Sequence, residues 1–383
     1  MLKTPDKIIC EAGALENNCG LLRQHGRKAL VVTGPHVGKS EMMRRLEAAL
    51  ARDKVEYEVF DRICGEPTDV MIDAGVAAYR NAGCDFCIGL GGGSPLDSAK
   101  AVAAMIGNPG KIADYMGKEI NRPVPPVVAI PTTAGTGSEA TRFTIITDTE
   151  HGLKMLLKGD VLLPRLAIVD YTLGMNAPGS VTAATGLDAL THAVESYISV
   201  KAMPETDALA EVAVCRIMRY LPVAYRNGND EEARREMARA ALDAGVCINN
   251  SSVTVVHGMS RPIGALFHVP HGLSNAMLLP TCMTDLLPCA TVRFARLARL
   301  TGVADGGCGD DDAARAFVAS IADVCRVCEV PTLEQYGIKE EEFVSLIDKM
   351  AADAIASGSP GNAPKAYCAD DCKWLYLKAY KQH

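Results

Sequence analysis

Hydrophobic periodicity changes character once along this chain of 383 residues, near residue 180, and that change constrains the fold more than any single motif. Before it, short apolar runs alternate with amphipathic segments. The runs "KALVVTG", "VEYEVFD", "DFCIGLGGG" and "PVVAIPTT" read as strands, and "SEMMRRLEAALARD", "TDVMIDAGVAAYRNAG" and "SPLDSAKAVAAMIG" read as the helices between them. Strands alternating with helices predict a parallel, doubly wound sheet. After it, "TAATGLDALTHAVESYIS", "TDALAEVAVCRIMRYLPVAYRNG", "NDEEARREMARAALDAGVCINNSSVTVVHGM" and "EEEFVSLIDKMAADAIASG" all carry apolar faces at the helical period. The expected architecture is an α/β domain over residues 1–180 followed by an all-helical domain over residues 181–383, with "NAPG" at 176–179 as the boundary.

Composition narrows the function classes. The hydrophobic fraction is 48%, enough for substantial cores, and Trp374 is the single tryptophan. A net charge of −7 with no basic stripe argues against nucleic acid as a partner. The start, "MLKTPDKIIC", has no long apolar stretch, so no signal peptide is read. No apolar run is long enough to span a bilayer. Fourteen scattered cysteines in so long a chain suggest a reducing compartment, and the expected location is cytoplasmic. Cys84–Cys87 and Cys325–Cys328 have CxxC spacing, but each lies in an apolar pattern that fits core packing better than redox or zinc chemistry.

Two turns have the composition of an anion site. "GLGGGSPLDSAK", residues 89–100, follows an apolar strand and opens a helix. Its glycines let backbone approach an anion, and the free N–H groups and dipole of the helix favour phosphate. A triple glycine after a strand is as often a plain tight turn. A second glycine-rich turn, "PTTAGTGSEATRF" at 131–143, follows the next strand. Two such turns at the carboxyl ends of two strands suit a nucleotide crevice. "GPHVGKS" falls one residue short of a phosphate-binding P-loop and is discounted.

The second half offers a metal set. In "TGLDALTHAVES", Asp188 and His192 stand four apart on one helical face. "HGMSRPIGALFHVPHG", residues 257–272, adds His257 and His271, the latter just after Pro270, where a helix more readily begins than continues. Three imidazoles and a carboxylate suit Fe²⁺ or Zn²⁺. Taken singly, each histidine is more simply a core or capping residue; spacing alone does not bring them together.

Taken in order, "GLGGGSPLDSAK", "IPTTAGTGSEAT", "ATGLDALTHAVESYIS" and "HGMSRPIGALFHVPHG" resemble the iron-containing (group III) alcohol dehydrogenase family over nearly the whole chain. The resemblance implies an N-terminal α/β dinucleotide-binding domain and an all-helical metal domain. It implies reversible hydride transfer between a nicotinamide cofactor and a small primary alcohol or aldehyde. Carried over by position, Asp188, His192, His257 and His271 are the metal ligands. Gly92, Gly93 and Ser94 hold the pyrophosphate and Asp97 orients the nicotinamide carboxamide. Thr132, Thr133, Thr141 and Phe143 line the cofactor, and Lys154 contacts a ribose. The metal is expected to be Fe²⁺, with Zn²⁺ as the alternative, and the assembly a homodimer or larger homo-oligomer.

Two positions depart from the family pattern. Family members commonly carry a further histidine where Arg261 stands, one helical turn after His257. An arginine stays protonated and cannot relay a proton. It either binds an anionic group on the substrate, a carboxylate or sulfonate, or forms a salt bridge to an acid across the domain cleft. His268 is then the remaining local candidate for a proton relay. At Gly34, after the first predicted strand, NAD-preferring relatives often carry aspartate. NAD is the expected cofactor, and NADP is not excluded. Two further readings stay open: a hydroxyacid–oxoacid transhydrogenase that keeps its cofactor bound, and a non-enzymatic metal or nucleotide sensor.

Overall fold

The computed structural model describes residues 1–381, which divide into two compact units, Lys3–Asn176 and Ala177 onward together with Met1–Leu2. In the first unit the elements run β1 (Lys7–Cys10), α1 (Ala14–Asn17), β2 (Lys28–Val32), α2 (Glu41–Arg52), β3 (Glu56–Phe60), α3 (Asp69–Ala82), β4 (Phe86–Gly91), α4 (Gly93–Gly107) and β5 (Val127–Pro131). They continue with β6 (Phe143–Asp148), β7 (Leu153–Lys158) and β8 (Leu166–Val169). Six strands form one parallel sheet in the order β1-β8-β5-β4-β2-β3, as the alternating pattern predicts.

The sheet separates two apolar cores, one gathering side chains of α3 and α4, the other those of α1 and α2. β4, "FCIGLG", is buried along its whole length, the unbroken apolar run expected of a central parallel strand. β3 is an edge strand, and its Glu56, Tyr57 and Glu58 are exposed, so charge guards the unpaired edge. From β2 the chain steps outward to β3, returns to β4 and then moves the opposite way to β5. The strand order therefore reverses between β2 and β4, where α/β sheets bind ligands beyond the strand ends.

Four strands were not read from the sequence. β1 and β8 are four residues each, too short to show a period, and pair with one another in parallel. β6 and β7 form a separate antiparallel pair closed by residues 149–152, and β6 alternates half-buried and buried positions. Both CxxC pairs are buried as free thiols. Burial pushes Cys84 up to about 11 and Cys328 up to about 12, which makes them poor thiolates.

The second unit is helical: α5 (Gly179–Ile198), α6 (Pro204–Arg226), α7 (Glu231–Ser251), α8 (Val255–Phe267), α9 (His271–Leu300), α10 (Asp310–Val327), α11 (Glu340–Ala356) and α12 (Ala369–Lys381). α5 packs against α6, α7 and α9 and is buried on nearly every face from Gly186 to Ile198. A helix apolar all round belongs at a core. Yet α5 also buries Asp188, Thr191, His192, Glu195 and Ser196, and buried polar groups need partners. Among the described residues no helix is long and apolar enough to cross a membrane.

Candidate metal centre and nucleotide turn

α5, α8 and α9 bring four side chains to one point. Asp188 and His192 come from α5, His257 from the first turn of α8, and His271 from the first residue of α9. One ligand atom from each lies within 4.8 Å of all the others, and this is the only such group among the described residues. The Nε2 atoms of His192 and His257 are each 3.7 Å from Asp188 Oδ1, and that of His271 is 3.8 Å away. Donor atoms bound tetrahedrally at about 2.0–2.2 Å stand roughly 3.3–3.6 Å apart, so the set fits a divalent transition ion with little adjustment. The close packing of α9 on α5 depends on Gly272, where a Cβ would stand 2.4 Å from the Ala184 carbonyl oxygen.

Glu195, one turn beyond His192, was not singled out from the sequence. It is fully buried. Its Oε1 accepts from Thr254 Oγ1 at 2.6 Å and from the Val256 N–H at 2.7 Å, and its Oε2 lies 2.5 Å from His257 Nδ1. One carboxylate thus satisfies an orphan donor at the start of α8 and fixes the His257 ring. With Nδ1–H engaged by Glu195, the His257 Nε2 lone pair is turned toward Asp188. Burial and the neighbouring His192 push His257 well below its ordinary pKa, toward the neutral imidazole that a metal requires. Burial also raises Glu195, against its hydrogen bonds from Thr254 and Val256. The 188-192-195 spacing on one helical face was the available signal.

Asn275 completes the cluster from α9. Its Nδ2 donates to Asp188 Oδ1 at 2.7 Å and lies 3.1 Å from His257 Nε2 and 3.2 Å from His271 Nε2. Arg261, four residues after His257, donates from Nη1 to Ser359 Oγ at 2.9 Å, while its Nε is buried without a partner. Within the helical unit no carboxylate lies within ion-pair distance of it among the described residues. His268 is exposed, in the left-handed conformation that ends α8 (φ 54°), and no hydrogen bond joins it to the cluster among the described residues.

The glycine-rich turn lies at the carboxyl end of β4. Gly91 has φ +146°, open to glycine alone, and a Cβ at Gly93 would meet Thr136 Cγ2 at 2.7 Å. At Gly92 the nearest atom to such a Cβ is Thr133 Oγ1 at 3.5 Å, which leaves an open cradle. Gly92 caps α4 with no side-chain hydrogen bond, which leaves first-turn N–H groups without helical partners, an arrangement that suits an anion.

The second turn is tied to the first from within. Asp97 accepts from Ser138 Oγ at 2.5 Å and the Ile145 N–H at 2.8 Å, with Lys100 Nζ at 3.4 Å. Lys100, fully buried, donates to the Phe143 carbonyl at 2.8 Å, to Thr141 Oγ1 at 3.1 Å and to the Thr141 carbonyl at 3.3 Å. Thr141 is therefore buried in this scaffold, while Thr132 donates its N–H to the Gly91 carbonyl at 2.8 Å. Lys154, on β7, is paired with Glu66 at 2.5 Å. Gly34 follows β2, and a Cβ there would stand 3.1 Å from the Ile63 carbonyl oxygen.

Residues 5–171 match the iron-containing alcohol dehydrogenase family, and residues 182–380 match the C-terminal region of that family. The NAD-dependent methanol dehydrogenase of Bacillus methanolicus is 34% identical over 359 residues, 93% of this chain and 94% of that one. A crystal structure of 1,3-propanediol oxidoreductase superposes with a TM-score of 0.95 at 34% identity over 99% of both chains. The sulfoacetaldehyde reductase of Bifidobacterium kashiwanohense, in complex with NAD⁺, superposes with a TM-score of 0.86 at 26% identity over 99% of this chain and 98% of that one.

Proposed function

The chain belongs to the iron-containing alcohol dehydrogenase family, and from that premise we propose that it reduces a small anionic aldehyde to its primary alcohol, reversibly, with NAD as coenzyme and Fe²⁺ as the resident ion. The observation that carries the reading is the convergence of Asp188, His192, His257 and His271 on one buried point. When bound, the ion supplies Lewis acidity toward the substrate oxygen and the nicotinamide supplies the hydride.

The protein's part is to hold and orient. Glu195 orients the His257 ring through Nδ1 while burial keeps the imidazole neutral, and Asp188 contributes the one negative charge of the set. The first turn of α4, opened at Gly92 and Gly93, offers N–H groups to the coenzyme's pyrophosphate. Asp97 and Lys100 hold the second turn against α4, so both turns stay in register. NAD rather than NADP is supported by a carboxylate beside the β2 turn. Asp61, just past β3, has its Cβ 3.0 Å from where a Gly38 Cβ would be, and an acid there disfavours a 2′-phosphate.

The anionic substrate rests on Arg261. Burial lowers its pKa, opposed by the charge of Glu195, yet among the described residues no carboxylate of its own unit pairs with it. A half-buried guanidinium with an unpartnered Nε and no counter-ion in its own unit is costly, and a carboxylate or sulfonate on the substrate would reduce that cost. The resemblance to a sulfoacetaldehyde reductase points the same way.

The test is a rate comparison on protein loaded anaerobically with Fe²⁺, and separately with Zn²⁺. NADH and NADPH oxidation is followed with sulfoacetaldehyde, succinic semialdehyde, lactaldehyde and propionaldehyde. The expected result is a metal-dependent rate, faster with NADH and fastest on the two anions. In Arg261→Met the preference for anions falls by roughly 10–100-fold, the worth of a charged hydrogen bond. Equal rates on neutral aldehydes would return Arg261 to a structural role. No turnover of free coenzyme would favour the transhydrogenase.

A further inference from the structure

The metal quartet has one carboxylate, and that carboxylate has a single partner outside the quartet. Three imidazole nitrogens stand at 3.7, 3.7 and 3.8 Å from the same oxygen, Asp188 Oδ1. The hydrogen bond that holds this oxygen comes from Asn275 Nδ2 at 2.7 Å, and no other hydrogen bond to the Asp188 side chain is present among the described residues. Asn275 follows His271 by four residues on α9, so the two share a helical face.

The amide is unevenly used. Asn275 is fully buried, its nitrogen faces three of the four donor atoms, and its Oδ1 is buried with no partner. Turning the amide over would set a carbonyl oxygen against a carboxylate oxygen, two acceptors in contact. The structure thus accepts an unsatisfied carbonyl, a costly state, in order to present N–H to Asp188. Ligating carboxylates are commonly steadied by such outer hydrogen bonds.

We propose that Asn275 is a positioning residue of the metal centre: its amide fixes which Asp188 oxygen faces the ion and closes with protein the side of the ligand set bounded by Asp188, His257 and His271. It does for Asp188 what Glu195 does for His257. The inference rests on the metal reading of that quartet.

Co²⁺ is the probe, added anaerobically to the full chain, because its visible absorption reports coordination number independently of turnover. The unsubstituted protein, Asn275→Leu and Asn275→Ala are titrated against a competing chelator. Leucine keeps the volume and removes the donor; alanine also opens the covered side. The expected result is Co²⁺ affinity 10–100-fold weaker in both variants. The alanine variant also shows weaker visible absorption, as water enters and the coordination number rises. Far-ultraviolet circular dichroism confirms that each is folded, and alanine decides if leucine is not accommodated. Affinity and spectrum unchanged in a folded variant would overturn the inference. Failure of the unsubstituted protein to bind Co²⁺ would overturn the metal reading itself, and this inference with it.

Discussion

In the α/β unit, the groups offered to a ligand belong to the main chain of a turn; in the helical unit, they are four side chains rooted in three packed helices. On the proposed reading, the turn after β4 serves because side chains are missing from Gly91, Gly92 and Gly93. The quartet works because side chains are present and are gripped from behind, His257 by Glu195 and Asp188 by Asn275. A site made of absences should fail when atoms are added. A site made of oriented donors should fail when one donor, or one grip, is removed.

The sharpest test removes a donor. Asp188→Asn should abolish stoichiometric metal binding and lower turnover by roughly 10³-fold or more, since the ion is asked for several kcal/mol of transition-state stabilisation. Metal analysis and steady-state rates read the two losses together. Glu195→Gln removes a grip and leaves every donor in place. Metal affinity should weaken by about 10–100-fold, measured by chelator competition, with the coenzyme dissociation constant unchanged. Unchanged affinity would mean that Glu195 serves only the start of α8.

Gly92→Ala adds one methyl group to the other site. Its backbone (φ −74°) admits alanine, and nothing lies within 3.5 Å of the new carbon. Stability should stay within about 0.5 kcal/mol. NADH should nevertheless bind about tenfold more weakly, a cost of about 1.4 kcal/mol, with metal content intact. Equal NADH affinity would place the pyrophosphate elsewhere.

The smallest effect concerns stability alone. Glu139, buried in the second turn, has its carboxyl pushed up to about 7 by burial, against the pull of Lys100. An acid whose folded pKa exceeds its unfolded value of about 4.5 holds its proton longer in the native state. Its contribution is complete below pH 4.5 and is lost as pH rises through about 7. Glu139→Gln should remove a pH-dependent loss of order 1–3 kcal/mol across that window, read from urea midpoints at several pH values.

The two candidate sites were unequally legible in the sequence. Asp188 and His192 declare themselves by helical spacing, and Pro270 marks the start of the helix that His271 opens. The change in periodicity near residue 180 anticipates the helical half, and four of the six sheet strands are long enough to read. β1 and β8 are not, and they meet only across most of the unit's length. Glu195 and Asn275 sit at helical spacing from named ligands, but their roles arise where α5 meets the start of α8 and where α9 meets α5, contacts that no local pattern encodes. Arg261 stands out as a departure from its family; that its Nη1 meets a neutral hydroxyl is visible only once Ser359 is found beside it.

Glu195 also carries a lesson for anyone wishing to redirect this scaffold. One side chain closes the end of a helix and aligns a metal donor, so the two tasks cannot be edited separately. Libraries aimed at new aldehydes should leave α5 untouched and spend their diversity on Arg261 and Ser359. On the proposed reading of Arg261, a change there alters what the site greets without loosening what it is built on.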